Sequence, residues 1–115
     1  MAWWLPFGRV PEVTPEELAR SLASDRPPQL LDVRTRREWL AGHIAGAVHV
    51  SVLDLPARLL SLPLDRDRPV VAICLSAHRS IPAVRLLRDA GFIDVAQLAG
   101  GMQAWRRAVL PETKA

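Results

Sequence analysis

The run Val70-Val71-Ala72-Ile73 is apolar at every position. A strand with one wet face alternates apolar and polar residues. One that is apolar throughout must be covered on both faces, as strands inside parallel sheets are. Parallel neighbours need crossovers of about a dozen residues or more, usually helical, so the rest of the chain should alternate strand with helix.

It does. Thr14-Pro15-Glu16-Glu17 predicts a helix start, with Thr14 as cap, Pro15 in the first turn and Glu17 closing a capping box. Leu18, Ala19 and Leu22 give it an apolar face, and Asp25-Arg26-Pro27-Pro28 ends it. Residues 29–33 read as a short strand. Thr35 and Glu38 form a second capping box for a brief helix through residue 41, and Gly42 and Gly46 mark turns around His43-Ile44-Ala45. Residues 47–50 suit another strand. Residues 54–62 carry Leu55, Leu59 and Leu62 at helical spacing. After the apolar strand, residues 74–79 form a polar loop and residues 80–90 a helix with Val84 and Leu87, ending at Gly91. Residues 95–98 are the next strand, Gly100-Gly101 a turn, and residues 102–109 the last helix, anchored by Trp105. The fold class expected is α/β, a mainly parallel sheet covered by helices.

The chain's 115 residues are half hydrophobic, which suits one buried core and excludes a disordered or low-complexity chain. With no internal repeat and no linker, the organisation expected is an N-terminal arm over residues 1–12, broken by Pro6 and Pro11, one domain over 13–111 and a tail over 112–115. No apolar run approaches the roughly 20 residues that span a bilayer. The apolar start, Met1-Ala2-Trp3-Trp4-Leu5-Pro6-Phe7, lacks a basic segment and a cleavage site, so neither a membrane span nor a secretory signal is expected. Cys74 is the only cysteine, which rules out an internal disulfide; with three scattered histidines it makes no zinc-finger pattern, and no metal site is expected. The compartment expected is the reducing cytoplasm. The formal charge is only +3 although the isoelectric point is about 10.4. Lys114 is the only lysine, and arginine stays protonated to very high pH. The bases do not cluster beyond Arg34-Thr35-Arg36-Arg37 and Arg106-Arg107, so nucleic acid is not the expected partner.

The position of Cys74 carries the chemistry. It ends the buried strand and precedes a loop running straight into a helix. Ligands of open α/β sheets bind at the carboxyl ends of strands, where helix N-termini present unpaired N–H groups. Such a place favours an anion, and a thiolate over a thiol. Arg79 adds a permanent positive charge, and Ser76 and Ser80 add hydroxyls. The competing reading is a small buried hydrophobe, a common role for free cysteine.

Cys74-Leu75-Ser76-Ala77-His78-Arg79-Ser80 resembles the active-site loop of rhodanese-like sulfurtransferases: a cysteine, four intervening residues, then arginine and often serine. Leu31-Asp32-Val33-Arg34, Glu38-Trp39 and Gly42-His43-Ile44-Ala45-Gly46-Ala47 resemble that family's N-terminal signature, and Gly100-Gly101-Met102-Gln103-Ala104-Trp105 its closing motif. The resemblance covers nearly the whole chain and implies a rhodanese-like fold, a five-stranded, mainly parallel sheet with helices on both faces. It implies that Cys74 attacks the outer sulfur of a donor such as thiosulfate and carries it as a persulfide to a thiol or cyanide. Leu75, Ser76, Ala77, His78, Arg79 and Ser80 would supply the anion-binding loop, with no metal or organic cofactor. Partners implied are a small sulfur-containing anion or persulfide donor and a thiol or protein acceptor. Phosphatases of a related fold place five residues between cysteine and arginine; the four here suit a single sulfur atom rather than a tetrahedral phosphate.

Two positions depart from the family pattern. Ala77 stands where glycine is frequent, so a positive φ there costs on the order of 1 kcal/mol. Leu75 stands where many members carry a basic or polar residue, which weakens attraction for a thiosulfate dianion and favours a protein or low-molecular-weight persulfide as donor. Asp32 and Arg34 have two readings: support of the site, or a buried salt-bridge set with Glu38 and nearby backbone. His43 is expected to bind backbone in its turn, His78 to face solvent, and Trp39 and Trp105 to be core. Trp3 and Trp4 either pack on the domain or dock a partner. The alternative function is a weakly active or non-catalytic rhodanese-like module for partner binding or regulation.

Overall fold

The computed structural model describes residues 10–115. The expected Trp3-Trp4 arm lies outside them. Five strands and five helices follow in turn: β1 (Glu12–Val13), α1 (Pro15–Leu22), β2 (Gln29–Asp32), α2 (Arg36–Ala41), β3 (Val48–His49), α3 (Leu55–Arg58), β4 (Val70–Ile73), α4 (Ser80–Asp89), β5 (Val95–Leu98) and α5 (Gly101–Arg107). The sheet is parallel throughout, in the order β1-β5-β4-β2-β3. Every strand therefore ends on the same side of the molecule.

β4 lies at the centre and is buried at all four positions. Its alternate residues feed two cores. Val70, Ala72 and Cys74 join Leu31 and Val95 against Val84 and Leu87 of α4 and Leu55 of α3. Val71 and Ile73 join Leu30 and Leu98 against Leu18 of α1 and Met102 and Trp105 of α5. The two-residue period of a strand thus produces both layers.

Both capping boxes form. Thr14 Oγ1 accepts from the Glu17 N–H at 3.1 Å while Glu17 Oε1 accepts from the Thr14 N–H at 2.8 Å. Thr35 and Glu38 exchange the same bonds at 3.3 and 2.9 Å. The helix expected over 54–62 is instead one turn, α3, followed by a 3-10 turn at Leu59–Ser61. Pro56 suits the start of α3, but Asp54 makes no capping bond there. Glu12–Val13, read from the sequence as the end of an arm and the start of the domain, is an edge strand. The Gln97 N–H donates to Pro11 O at 2.9 Å and the Ala99 N–H to Val13 O at 2.8 Å.

Residues 112–115, expected as a tail, dock on the domain. His43 and Thr113 exchange backbone bonds at 2.9 and 2.7 Å, and Arg106 pairs with Glu112 at 2.9 Å. Among the described residues no helix is long and apolar enough to cross a membrane.

Candidate active site

Cys74 follows β4 directly and is 1% exposed. By strand alternation it continues the face of Ala72, on the side of α4. The loop at 75–79 turns the chain into α4, whose N-terminus has no side-chain cap. Its first N–H groups are therefore left for the loop space.

Two local features aim this loop. Ala77 has φ of 80°, the left-handed conformation that the sequence made costly for a residue with a Cβ. In that pose its N–H donates to Cys74 Sγ at 2.8 Å. The second feature is on α5. Met102 and Gln103 donate their N–H groups to the carbonyls of Cys74 and Leu75 at 2.8 and 2.9 Å, turning those two carbonyls toward α5. Gly101, at φ of 59°, permits the approach: a Cβ there would strike Cys74 O and lie 2.6 Å from Leu75 C and O. The Gly-Gly pair is thus more than a turn, since it allows a helix terminus against the loop backbone.

Arg79 is not aimed freely at the sulfur. Its guanidinium grips Glu38 with two bonds, Nη1 to Oε1 at 2.6 Å and Nη2 to Oε2 at 2.8 Å. This bond holds the Glu38 carboxyl down at about 2, against the opposing effect of burial and with help from the Thr35 N–H and hydroxyl. The same contact raises the guanidinium above its ordinary value, against the opposing effect of burial, and the nearby Asp32 carboxylate adds a smaller contribution in the same direction. Glu38 therefore serves α2 as a capping residue and the loop as an anchor. It does not join Asp32 and Arg34, as one sequence reading held.

Those two form a separate buried pair, with Arg34 Nη2 2.8 Å from Asp32 Oδ2 and side chains 1% and 0% exposed. Asp32 Oδ1 also accepts the Arg34 N–H and Nε at 3.0 Å each, and Arg34 Nη2 donates to Gly42 O at 2.7 Å. The set clamps the end of β2 to the turn after α2.

Ser80 is fully buried, its Oγ 3.4 Å from Cys74 Sγ and donating to Gln97 Oε1 at 2.6 Å. Gln97 Nε2 donates in turn to Glu12 Oε2 at 2.8 Å. Sequence reasoning missed Gln97 and Glu12. The available signal was an amide sharing the inward-facing register of Val95 in a strand otherwise apolar. Leu75 is half-buried and packs against the core of Met102 and Trp105. Ser76 Oγ lies 3.2 Å from His78 Nδ1, and His78 is exposed. His43 binds backbone, Nδ1 at 2.9 Å from Trp39 O and Nε2 at 3.0 Å from Ala115 O. Trp105 is core, but Trp39 is only half-buried, stacking on His43 and His49 with ring centres 3.4 and 5.0 Å away.

The family model described as "Rhodanese-like domain" matches residues 14–108. The chain belongs to the rhodanese-like domain family. A sulfurtransferase of Allochromatium vinosum is 37% identical over 102 residues, covering 89% of this chain and 94% of that protein. The HTH-type transcriptional regulator Rv0324 of Mycobacterium tuberculosis is 45% identical over 84 residues, 71% of this chain, but the match spans only 36% of that longer protein. Among solved structures, the Alr3790 protein from Anabaena superposes with a TM-score of 0.80 at 33% identity, covering 90% of this chain and 82% of that one. The rhodanese-like fold expected from the motifs is the fold found, with the parallel sheet and two-sided helical cover.

Proposed function

We propose that this rhodanese-like domain is a sulfurtransferase using Cys74 as nucleophile and sulfur carrier. The observation that carries this reading is the bond from the Ala77 N–H to Cys74 Sγ, in a loop whose first two carbonyls are turned toward α5. Such a loop offers donors to a sulfur anion without reorganising during reaction. The similarity to proteins named sulfurtransferase supports the same reading.

In the first half-reaction the Cys74 sulfur, having given its proton to solvent, attacks the outer sulfur of thiosulfate or another sulfane donor. A new S–S bond forms, the donor's S–S bond breaks, and sulfite (or the donor thiolate) leaves with the electron pair. In the second half-reaction a thiol or cyanide attacks the terminal sulfur, and Cys74 regains the electron pair of the bond it loses. The amides of residues 75–80 would hold the terminal sulfur. Arg79, fixed by Glu38, adds positive charge at the loop's end, and Ser76 and His78 stand at its outer edge. Asp32 and Arg34 support the neighbouring strand end. The chemistry asks for no metal or organic cofactor. A reducing compartment such as the cytoplasm keeps the thiol free.

A second reading is a partner-binding or regulatory module of low activity. Cys74 is 1% exposed, Arg79 is committed to Glu38, and the similarity to part of a transcriptional regulator points the same way. Intact mass after incubation with thiosulfate, or with a small persulfide, separates the two. The enzyme gains the mass of one sulfur atom, loses it to cyanide, and gains nothing as Cys74→Ala. No adduct from either donor supports the module instead.

A further inference from the structure

Four side chains at the active-site end of the sheet form one hydrogen-bonded chain. Parallel pairing sets Glu12 beside Gln97 and Gln97 beside Ala72. Gln97 thus shares the face that Ala72 and Cys74 present to α4, where Ser80 opens the helix. The links are Glu12 Oε2 to Gln97 Nε2 at 2.8 Å, Gln97 Oε1 to Ser80 Oγ at 2.6 Å, and Ser80 Oγ to Cys74 Sγ at 3.4 Å. Ser80 and Gln97 are 0% and 4% exposed, so water does not readily substitute for their partners.

The chemistry of the outermost group orients every link. An ionised carboxylate only accepts. Glu12 therefore requires the amide nitrogen of Gln97 on its side, which leaves the amide oxygen facing Ser80. An oxygen only accepts as well, so the single hydroxyl hydrogen of Ser80 is used on Gln97. What Ser80 then presents to Cys74 is a lone pair. A thiol can donate its S–H to that lone pair; a thiolate cannot, and meets an oxygen where a donor would stabilise it.

We propose that Gln97 and Glu12 are positioning residues that hold the Ser80 hydroxyl turned away from Cys74, keeping the resting sulfur hydrogen-bonded as a thiol. The chain is reversible in principle. If the outer group can donate, the Gln97 amide turns over, its nitrogen donates to Ser80 Oγ, and the hydroxyl hydrogen is released toward Cys74 Sγ. The sulfur then receives donors from both Ala77 and Ser80. Arg79 acts electrostatically on the Cys74 position, and neither it nor its partner Glu38 is a link in the chain. A role for this relay in sulfur transfer rests on Cys74 being the nucleophile proposed above. The resting orientation does not, and it can be read without any sulfur donor.

The test is the rate of Cys74 alkylation by iodoacetamide at neutral pH, with the ultraviolet absorbance of the thiolate followed against pH. Gln97→Met removes the acceptor that occupies the Ser80 hydroxyl and leaves that hydrogen for Cys74 Sγ. It is expected to alkylate roughly three- to tenfold faster than the parent, the effect of one added hydrogen bond to sulfur, with the thiolate appearing at lower pH. Glu12→Gln, whose amide can either accept or donate, permits the Gln97 amide to turn and is expected to act in the same direction with a smaller effect. In a Ser80→Ala background neither change has any effect, because the relay is cut. Gln97→Met at the parent rate, or an acceleration that survives Ser80→Ala, overturns the proposal. Sulfur loading is measured separately, so a relay that holds in a chain that never loads sulfur is distinguished from a failed relay.

Discussion

Ala77 donates its backbone N–H to Cys74 Sγ at 2.8 Å from a left-handed conformation at φ of 80°. The strain and the bond have one origin. Turning Ala77 into the right-handed region would swing its N–H away from the sulfur. Its methyl group is also buried in the α4-side core. Ala77→Gly therefore relieves strain but loses a buried methyl and loosens the unfolded chain, effects that nearly cancel to within about 1 kcal/mol. Ala77→Val forces a branched side chain into the same pose and is expected to cost about 2 kcal/mol or more. Chemical denaturation of both variants checks this, and a Val variant as stable as the Gly variant contradicts the assigned backbone.

The pair between Glu38 and Arg79 makes a pH prediction. Glu38 has its carboxyl lowered from 4.5 to about 2 in the folded chain, chiefly by Arg79. A carboxyl with a depressed folded value stabilises the fold above its unfolded value and loses that contribution as pH falls toward the folded one. The melting-temperature gap between the parent and Glu38→Gln should therefore be full above pH 4.5 and close progressively toward pH 2. Both side chains are partly exposed, so the gap corresponds to only about 1 kcal/mol. Thermal melts across that range test it; a gap independent of pH removes Glu38 as the titrating group.

Asp32 and Arg34 make the opposite kind of pair, buried on both sides. Asp32→Asn leaves the Arg34 charge without its counter-ion in the core, a change expected to cost about 3–5 kcal/mol. The role assigned here is structural, so the folded fraction of Asp32→Asn should still load sulfur on Cys74 as the parent does. Denaturant midpoints and intact mass on the same sample check both halves. Parental stability with lost loading would instead place Asp32 at the chemistry.

Much of the architecture was legible because it rests on local patterns. The four apolar residues of β4 required cover on two faces, and both Thr-x-x-Glu boxes mark real helix starts. The two-residue β1 escaped because so short a strand is defined by its partner β5 rather than by its own residues. The helix expected over 54–62 had the right leucine spacing, yet it changes to a 3-10 turn at Leu59, which spacing alone does not reveal. At the site, the Cys74 loop and its positive φ at Ala77 could be anticipated from the motif. The partners could not. Glu38 reaches Arg79 across 41 positions of sequence, and Glu12 reaches Gln97 across 85. Contacts at such separations follow from sheet order, which no local pattern encodes.

The central claim is that Cys74 carries sulfur inside the loop at residues 75–80. A crystal soaked with thiosulfate tests it most directly. The account predicts one additional sulfur atom bonded to Cys74 Sγ and surrounded by the amide groups of that loop, and an unmodified structure after a cyanide wash. A bare Sγ in crystals soaked with thiosulfate and with a small persulfide, or an adduct turned away from the loop amides, would contradict it.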